Sequence, residues 1–215
     1  MKKLFLTVMS IATFTIYAQD VTFGAKAGLN FANLDVTDSN YDSRTSFHLG
    51  ITAEFAISDN FSVQPELLYS AQGAKDEFSD SDYYGDGSVR YSNEGILKVD
   101  YLQIPIMGKY YVSDAFSIEV GPQIGFLLSS KYEGDFTFTN NINGEVLDSG
   151  SDSENYKDFT KSVDFGLNFG LGYKLESGLN FAFRYNLGLS DINDIQDSSS
   201  ETKNRVLQLS VGFNF

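Results

Sequence analysis

The chain of 215 residues contains no cysteine, no tryptophan, 3 prolines and a single histidine. Without cysteine there is no disulfide framework, no thiolate metal site and no lipid-anchored cysteine behind a leader. Basic residues are also scarce, 15 Lys and Arg against 29 Asp and Glu, for a formal net charge of -14. Phosphate backbones need a basic surface, so the balance argues against nucleic acid as a partner and makes weakly held divalent cations better company. What the chain does contain is 19 Phe, 13 Tyr and 19 Gly, a composition that favours strands over helices. The length is that of one domain, and no Gly- or Pro-rich linker divides it.

Lys2 and Lys3 precede an apolar run from Leu4 to Tyr17, followed by Ala18. This reads as a secretory signal, residues 1–18, cleaved after Ala18 to leave 19–215 as the folded domain. The run is shorter than the roughly 20 residues that a spanning helix needs.

The stretch Ser162 to Ser190 sets the pattern for the rest. Val163, Phe165, Leu167, Phe169, Leu171 and Tyr173 alternate with Asp164, Gly166, Asn168, Gly170, Gly172 and Lys174. After Glu176-Ser177-Gly178 the alternation resumes with Leu179, Phe181, Phe183, Tyr185 and Leu187 against Asn180, Ala182, Arg184 and Asn186. Strict period two predicts a β-hairpin with one apolar face. A soluble barrel alternates equally well. The export signal, the terminal aromatic Phe215 and strands about as long as the roughly 9 to 11 residues that cross a bilayer favour a transmembrane barrel, apolar outside and polar inside.

The same alternation predicts strands from Val21 to Phe31, Phe47 to Ile57, Phe61 to Ser70, Leu97 to Val112, Phe116 to Leu128 and Leu207 to Phe215. Adjacent apolar residues at Tyr101-Leu102 predict a β-bulge, and bulges are also the expected device at Pro65 and Pro122. The expected fold is all-β, an eight-stranded antiparallel up-and-down transmembrane β-barrel. Its long loops, 33–45, 73–95, 131–161 and 191–203, are extracellular, and its short turns are periplasmic. Two aromatic girdles are expected, with Phe31, Phe47, Tyr69, Tyr101, Phe126, Phe165 and Tyr185 in the loop-side belt and Phe55, Phe61, Tyr110, Phe116, Tyr173, Phe181, Phe213 and Phe215 in the turn-side belt.

Gly24 to Phe31, Pro65-Glu66-Leu67-Leu68-Tyr69, Tyr101-Leu102-Gln103-Ile104-Pro105-Ile106 with Lys109-Tyr110-Tyr111, Gly121-Pro122-Gln123 and Gly212-Phe213-Asn214-Phe215 carry a resemblance. Together they resemble the outer-membrane β-barrel family widespread in Bacteroidetes, porin-like or PorT-like. The resemblance implies an outer-membrane location and an eight-stranded barrel, and its PorT-like branch implies a part in secretion or gliding machinery.

On the polar face, Lys26, Glu54, Glu66, Lys109, Glu119, Lys174 and Arg184 are expected inside the barrel as a structural charge network, because a lone buried ion costs several kcal/mol. An eight-stranded interior is only about wide enough for side chains. His48, with Ser46 nearby, invites a hydrolase triad, but a lone histidine reads first as a solvated interior residue, and no catalytic residue is assigned. Asp80 to Gly87 resembles part of a calcium loop without its terminal bidentate Glu, so neither a metal site nor a cofactor is assigned. The acidic loops read as a solvated surface, able to meet lipopolysaccharide through shared divalent cations or to meet protein partners. The leading reading is a structural or interaction protein of the outer membrane. A narrow porin or transporter is the alternative, a barrel hydrolase comes third, and a soluble ligand-binding barrel would need its apolar face turned inward.

Overall fold

The computed structural model describes residues 21–36, 41–84, 87–195 and 200–215; the expected signal, 1–18, lies outside the described residues. Nine strands form among them: β1 Val21–Val36, β2 Asp42–Ser58, β3 Phe61–Tyr84, β4 Gly87–Tyr111, β5 Phe116–Asn140, β6 Val146–Asn155, β7 Val163–Lys174, β8 Leu179–Gly188 and β9 Thr202–Asn214. All neighbours are antiparallel, in the order β4-β3-β2-β1-β9-β8-β7-β5-β6, and β4 also pairs with β5. Eight strands therefore close into a ring, as expected, with β6 attached to the outer part of β5 as a ninth.

The partition of side chains is inside out. Leu171 pairs with Phe183 on the outer wall and Phe165 is 53% exposed, whereas the buried set is rich in Asn, Gln, Ser, Glu, Lys and Arg. A closed ring leaves no free edge within the wall, so outside the gaps beside its prolines the backbone is paired inside the sheet, which is what hydrocarbon demands. At the turn end, β7 and β8 are joined through Gly178, whose φ of 90° is open to glycine and strained for most other residues.

Three expectations need correction. Stretches 73–95 and 131–161 are largely strand, not loop: β3, β4 and β5 run on for 24, 25 and 25 residues, and β6 lies within the second stretch. Val-Leu-Asp-Ser-Gly-Ser-Asp-Ser-Glu-Asn has no alternating apolar signal, and it is a strand because β5 offers it a partner from Lys131 to Thr139. The irregularity near Tyr101 lies on β5, not β4. Asp100 pairs with Ser129 and Tyr101 with Leu127, so Leu128 is the extra residue and β4 keeps its phase. Tyr101 consequently points inward, fully buried, and leaves the loop-side girdle. Pro65 and Pro122 do not sit at register shifts: the ladder skips two residues beside each, between Thr52↔Glu66 and Phe55↔Val63, and between Pro105↔Gln123 and Gly108↔Val120, then resumes unshifted. A missing N–H costs a bond there without inserting a residue.

Candidate functional site

Even-numbered residues of β1, β2, β3 and β8 and odd-numbered residues of β4 and, as far as Leu127, of β5 line the lumen, and this phase brings the charged side chains together. Arg184 on β8 donates through both terminal nitrogens to Glu66 on β3, each at 2.8 Å, and through Nε to Glu119 on β5 at 2.8 Å. Lys26 Nζ reaches Glu66 at 3.2 Å, and Lys109 Nζ reaches Glu54 at 3.2 Å and Glu119 at 3.7 Å. Ser62 and Tyr111 donate to Glu54, and Gln64 donates to Glu66. Three cations thus face three carboxylates, with Arg184 1% and Glu66 3% exposed. Pairing of this density is what lets charges stay in a narrow interior.

Interior glycines give these side chains room. A Cβ on Gly170 would stand 2.6 Å from Arg184 Cγ, and one on Gly172 would stand 2.6 Å from Glu119 Oε1. A cavity of about 20 Å³ remains among Lys26, Gln64, Lys109, Glu119 and Arg184. That is space for about one water.

Lys174 is the exception among the expected lumen charges. It ends β7, is half-buried, makes no ion pair among the described residues, and lines an open vestibule with Glu54 and Glu176 at the turn end.

Above the ions lies a layer of amides. His48 is 1% exposed, with Nδ1 2.8 Å from Asn30 Oδ1 and Nε2 2.8 Å from Ser210 Oγ, and Gln208 also donates to Asn30 at 3.0 Å. The expected solvated histidine is therefore a packed one. Ser46 donates to the Ala71 carbonyl at 2.7 Å, so the serine within reach of His48 is Ser210, 162 residues away in sequence. Ser210, His48 and Asn30 have the connectivity of a nucleophile, base and orienter, but all three are walled in by the lumen, leaving an ester no approach to Oγ.

Toward the loop end, Asp164 accepts hydrogen bonds from Ser190 at 2.6 Å and Asn204 at 2.8 Å, beside Val99, Tyr101 and Leu127. Ile192 then packs on Leu34 and Ala74, with Val36, Tyr41 and Leu97 around them. This apolar cap was not legible in the sequence, since Ile192 sits in an acidic stretch. Asp191 clasps it, accepting from Lys161 Nζ at 2.7 Å and from the backbone N–H of Thr202 and Asn193 at 2.9 and 3.0 Å. Burial alone would raise the Asp191 carboxyl, but these donors outweigh it and hold it below the usual carboxylate range.

Beyond the cap, β3, β4, β5 and β6 continue as a four-stranded sheet. At about 3.3 Å per residue, strands of this length far exceed a bilayer crossing, so this part stands clear of the membrane.

In backbone the chain is similar to the crystal structure of Ail, the attachment invasion locus protein of Yersinia pestis, at 12% identity over 90% of this chain and 98% of that one, with a TM-score of 0.45. It is also similar to neisserial surface protein A, at 12% identity over 91% and 97%, with a TM-score of 0.43. No curated protein matches the sequence. The family model described as outer membrane protein beta-barrel domain matches residues 17–194. A closed antiparallel ring with rings on its outer wall and ions within agrees with that match, and the chain belongs to this family, as a β-barrel protein of the Gram-negative outer membrane.

Proposed function

We propose that this protein is a side-chain-plugged barrel that anchors an extracellular sheet and acts as a structural or interaction protein. The observation that supports this best is the lumen itself. Arg184 on β8 reaches across it to Glu66 on the facing strand β3 and also holds Glu119; Lys26 and Lys109 add their charges to the same carboxylates, and the Ile192 cap closes the loop end above them. With the interior occupied, the surface left for work is the part outside the membrane. Its acidic character favours partners or lipopolysaccharide met through shared divalent cations over free anions.

Reconstitution in planar bilayers tests the reading. The expected result is no stable single-channel current in roughly 1 M salt, because eight strands leave an interior only about as wide as their own side chains. Large, stable steps would support a narrow porin or transporter instead. The Tyr101-Leu102-Gln103-Ile104-Pro105-Ile106 segment keeps a PorT-like part in secretion machinery as the second reading, and normal secretion by a deletion strain would remove it.

A further inference from the structure

The extracellular sheet has two faces of different chemistry. Four rows cross it on the face that continues the lumen wall: Asp80-Tyr91-Phe138-Asp148, Phe78-Asn93-Phe136-Gly150, Asp76-Gly95-Gly134-Asp152 and Ala74-Leu97-Tyr132-Glu154. The rings form a connected group, Phe78 to Tyr91 at 6.4 Å, Tyr91 to Phe138 at 5.0 Å and Phe138 to Phe136 at 6.0 Å between centroids. Phe136 lies low over a glycine: a Cβ on Gly150 would come within 2.6 Å of its ring. Phe78 is 51% exposed, and Asp148 and Asp152 are exposed as well.

Among the described residues this face carries no Lys or Arg. Lys75, Arg90, Lys98 and Lys131 all fall on the opposite face, where Lys98 pairs with Glu133. Two of the rows end in a carboxylate at both edges, on strands separated by three spacings, or about 14 Å. Ring faces attract cations, and carboxylates attract them further. A basic side chain over the centre would meet both.

Resting on the reading of an interaction protein, we propose that this aromatic face with acidic edges is a docking surface for an extended polypeptide segment rich in Arg and Lys. The ring faces take the guanidinium or ammonium groups, and Asp76, Asp80, Asp148 and Asp152 neutralise them from the two sides. The opposite face has its own bases and offers no such complement.

The test uses the mature full chain in nanodiscs of zwitterionic lipid and a fluorescein-labelled (Arg-Thr)5 peptide followed by anisotropy. Neutralising Asp80→Asn, Asp148→Asn and Asp152→Asn together should weaken binding roughly tenfold, as three partly exposed ion pairs would. The matched change on the other face, Glu77→Gln with Glu94→Gln and Asp135→Asn, should shift it less than about twofold. Tyr91→Ser with Phe138→Ser should weaken it roughly fivefold, and Phe138→Leu serves if that pair fails to fold. Equal losses from the two acidic triples would reduce the effect to bulk charge and overturn the proposal. So would unchanged binding after ring removal, or binding of neutral maltoheptaose in place of the peptide. A non-conducting barrel with equal losses removes this face and leaves the interaction reading; a conducting barrel with face-specific loss does the reverse.

Discussion

The membrane ring and the sheet above it share β3, β4 and β5, yet they sort side chains in opposite ways. Along β5 the face turned to the lumen carries Ser117, Glu119 and Gln123 inside the membrane and Tyr132, Phe136 and Phe138 outside it. The wall that meets lipid carries Ile118, Val120 and Phe126, and its continuation carries Lys131, Glu133 and Asp135. The extra residue at Leu128 shifts the numbering by one and keeps each face continuous; the surroundings change. Hydrocarbon outside the ring rewards apolar outer residues and forces the ions inward to one another, whereas water on both sides of the upper sheet leaves rings on one face and charges on either.

Breaking the lumen should have the largest effect. Arg184→Met keeps much of the volume but strands Glu66 and Glu119 without their shared partner, and removing one member of a buried pair costs about 3–5 kcal/mol. Urea unfolding in detergent, read by loss of the heat-modifiable band, should move to clearly lower midpoint. Unchanged stability would mean that the network is solvated.

Adding one methyl group in each region sharpens the contrast. Gly170→Ala pushes on Arg184 and on the Phe183 carbonyl inside a closed interior, so overpacking of about 1–3 kcal/mol is expected. Gly150→Ala pushes on Phe136, a ring bordered by water that can tilt away, and should cost less than about 0.5 kcal/mol. Equal effects would say that the upper sheet is packed as tightly as the ring.

The cap between the two regions supplies the smallest effect. The Asp191 carboxyl is held below its unfolded value, so its contribution is fully present above pH about 4 and fades as pH falls through the lower folded value. The Ile192 N–H, bonded to the Thr202 carbonyl at 2.8 Å, should lose exchange protection in that acid range, and Asp191→Asn should remove the pH dependence. Protection that stays flat with pH in the native protein would show that the clasp does not hold the cap.

Legibility followed the range of the signal. The ring strands announced themselves through alternation, because apolar outer residues face lipid at every second position. β6 did not, since Ser, Asp and Gly in water carry no such mark. Tyr101 misled because its apolar character matched the outer wall, while its phase on β4 put it under the cap with Val99 and Leu127. Lys174 shared the phase of the lumen residues but sits at the open end, below the paired ions.

Strand periodicity and the polarity of each face were determined by the amino-acid order alone, because the pleat acts between neighbours two residues apart. Which ions meet was decided only by closure of the ring. Arg184 lies 118 residues from Glu66 and 65 from Glu119, and His48 lies 162 from Ser210. No local rule spans such distances; closure does, by setting these residues at a shared height on strands that face one another, as β8 and β3 do, or that flank a common neighbour.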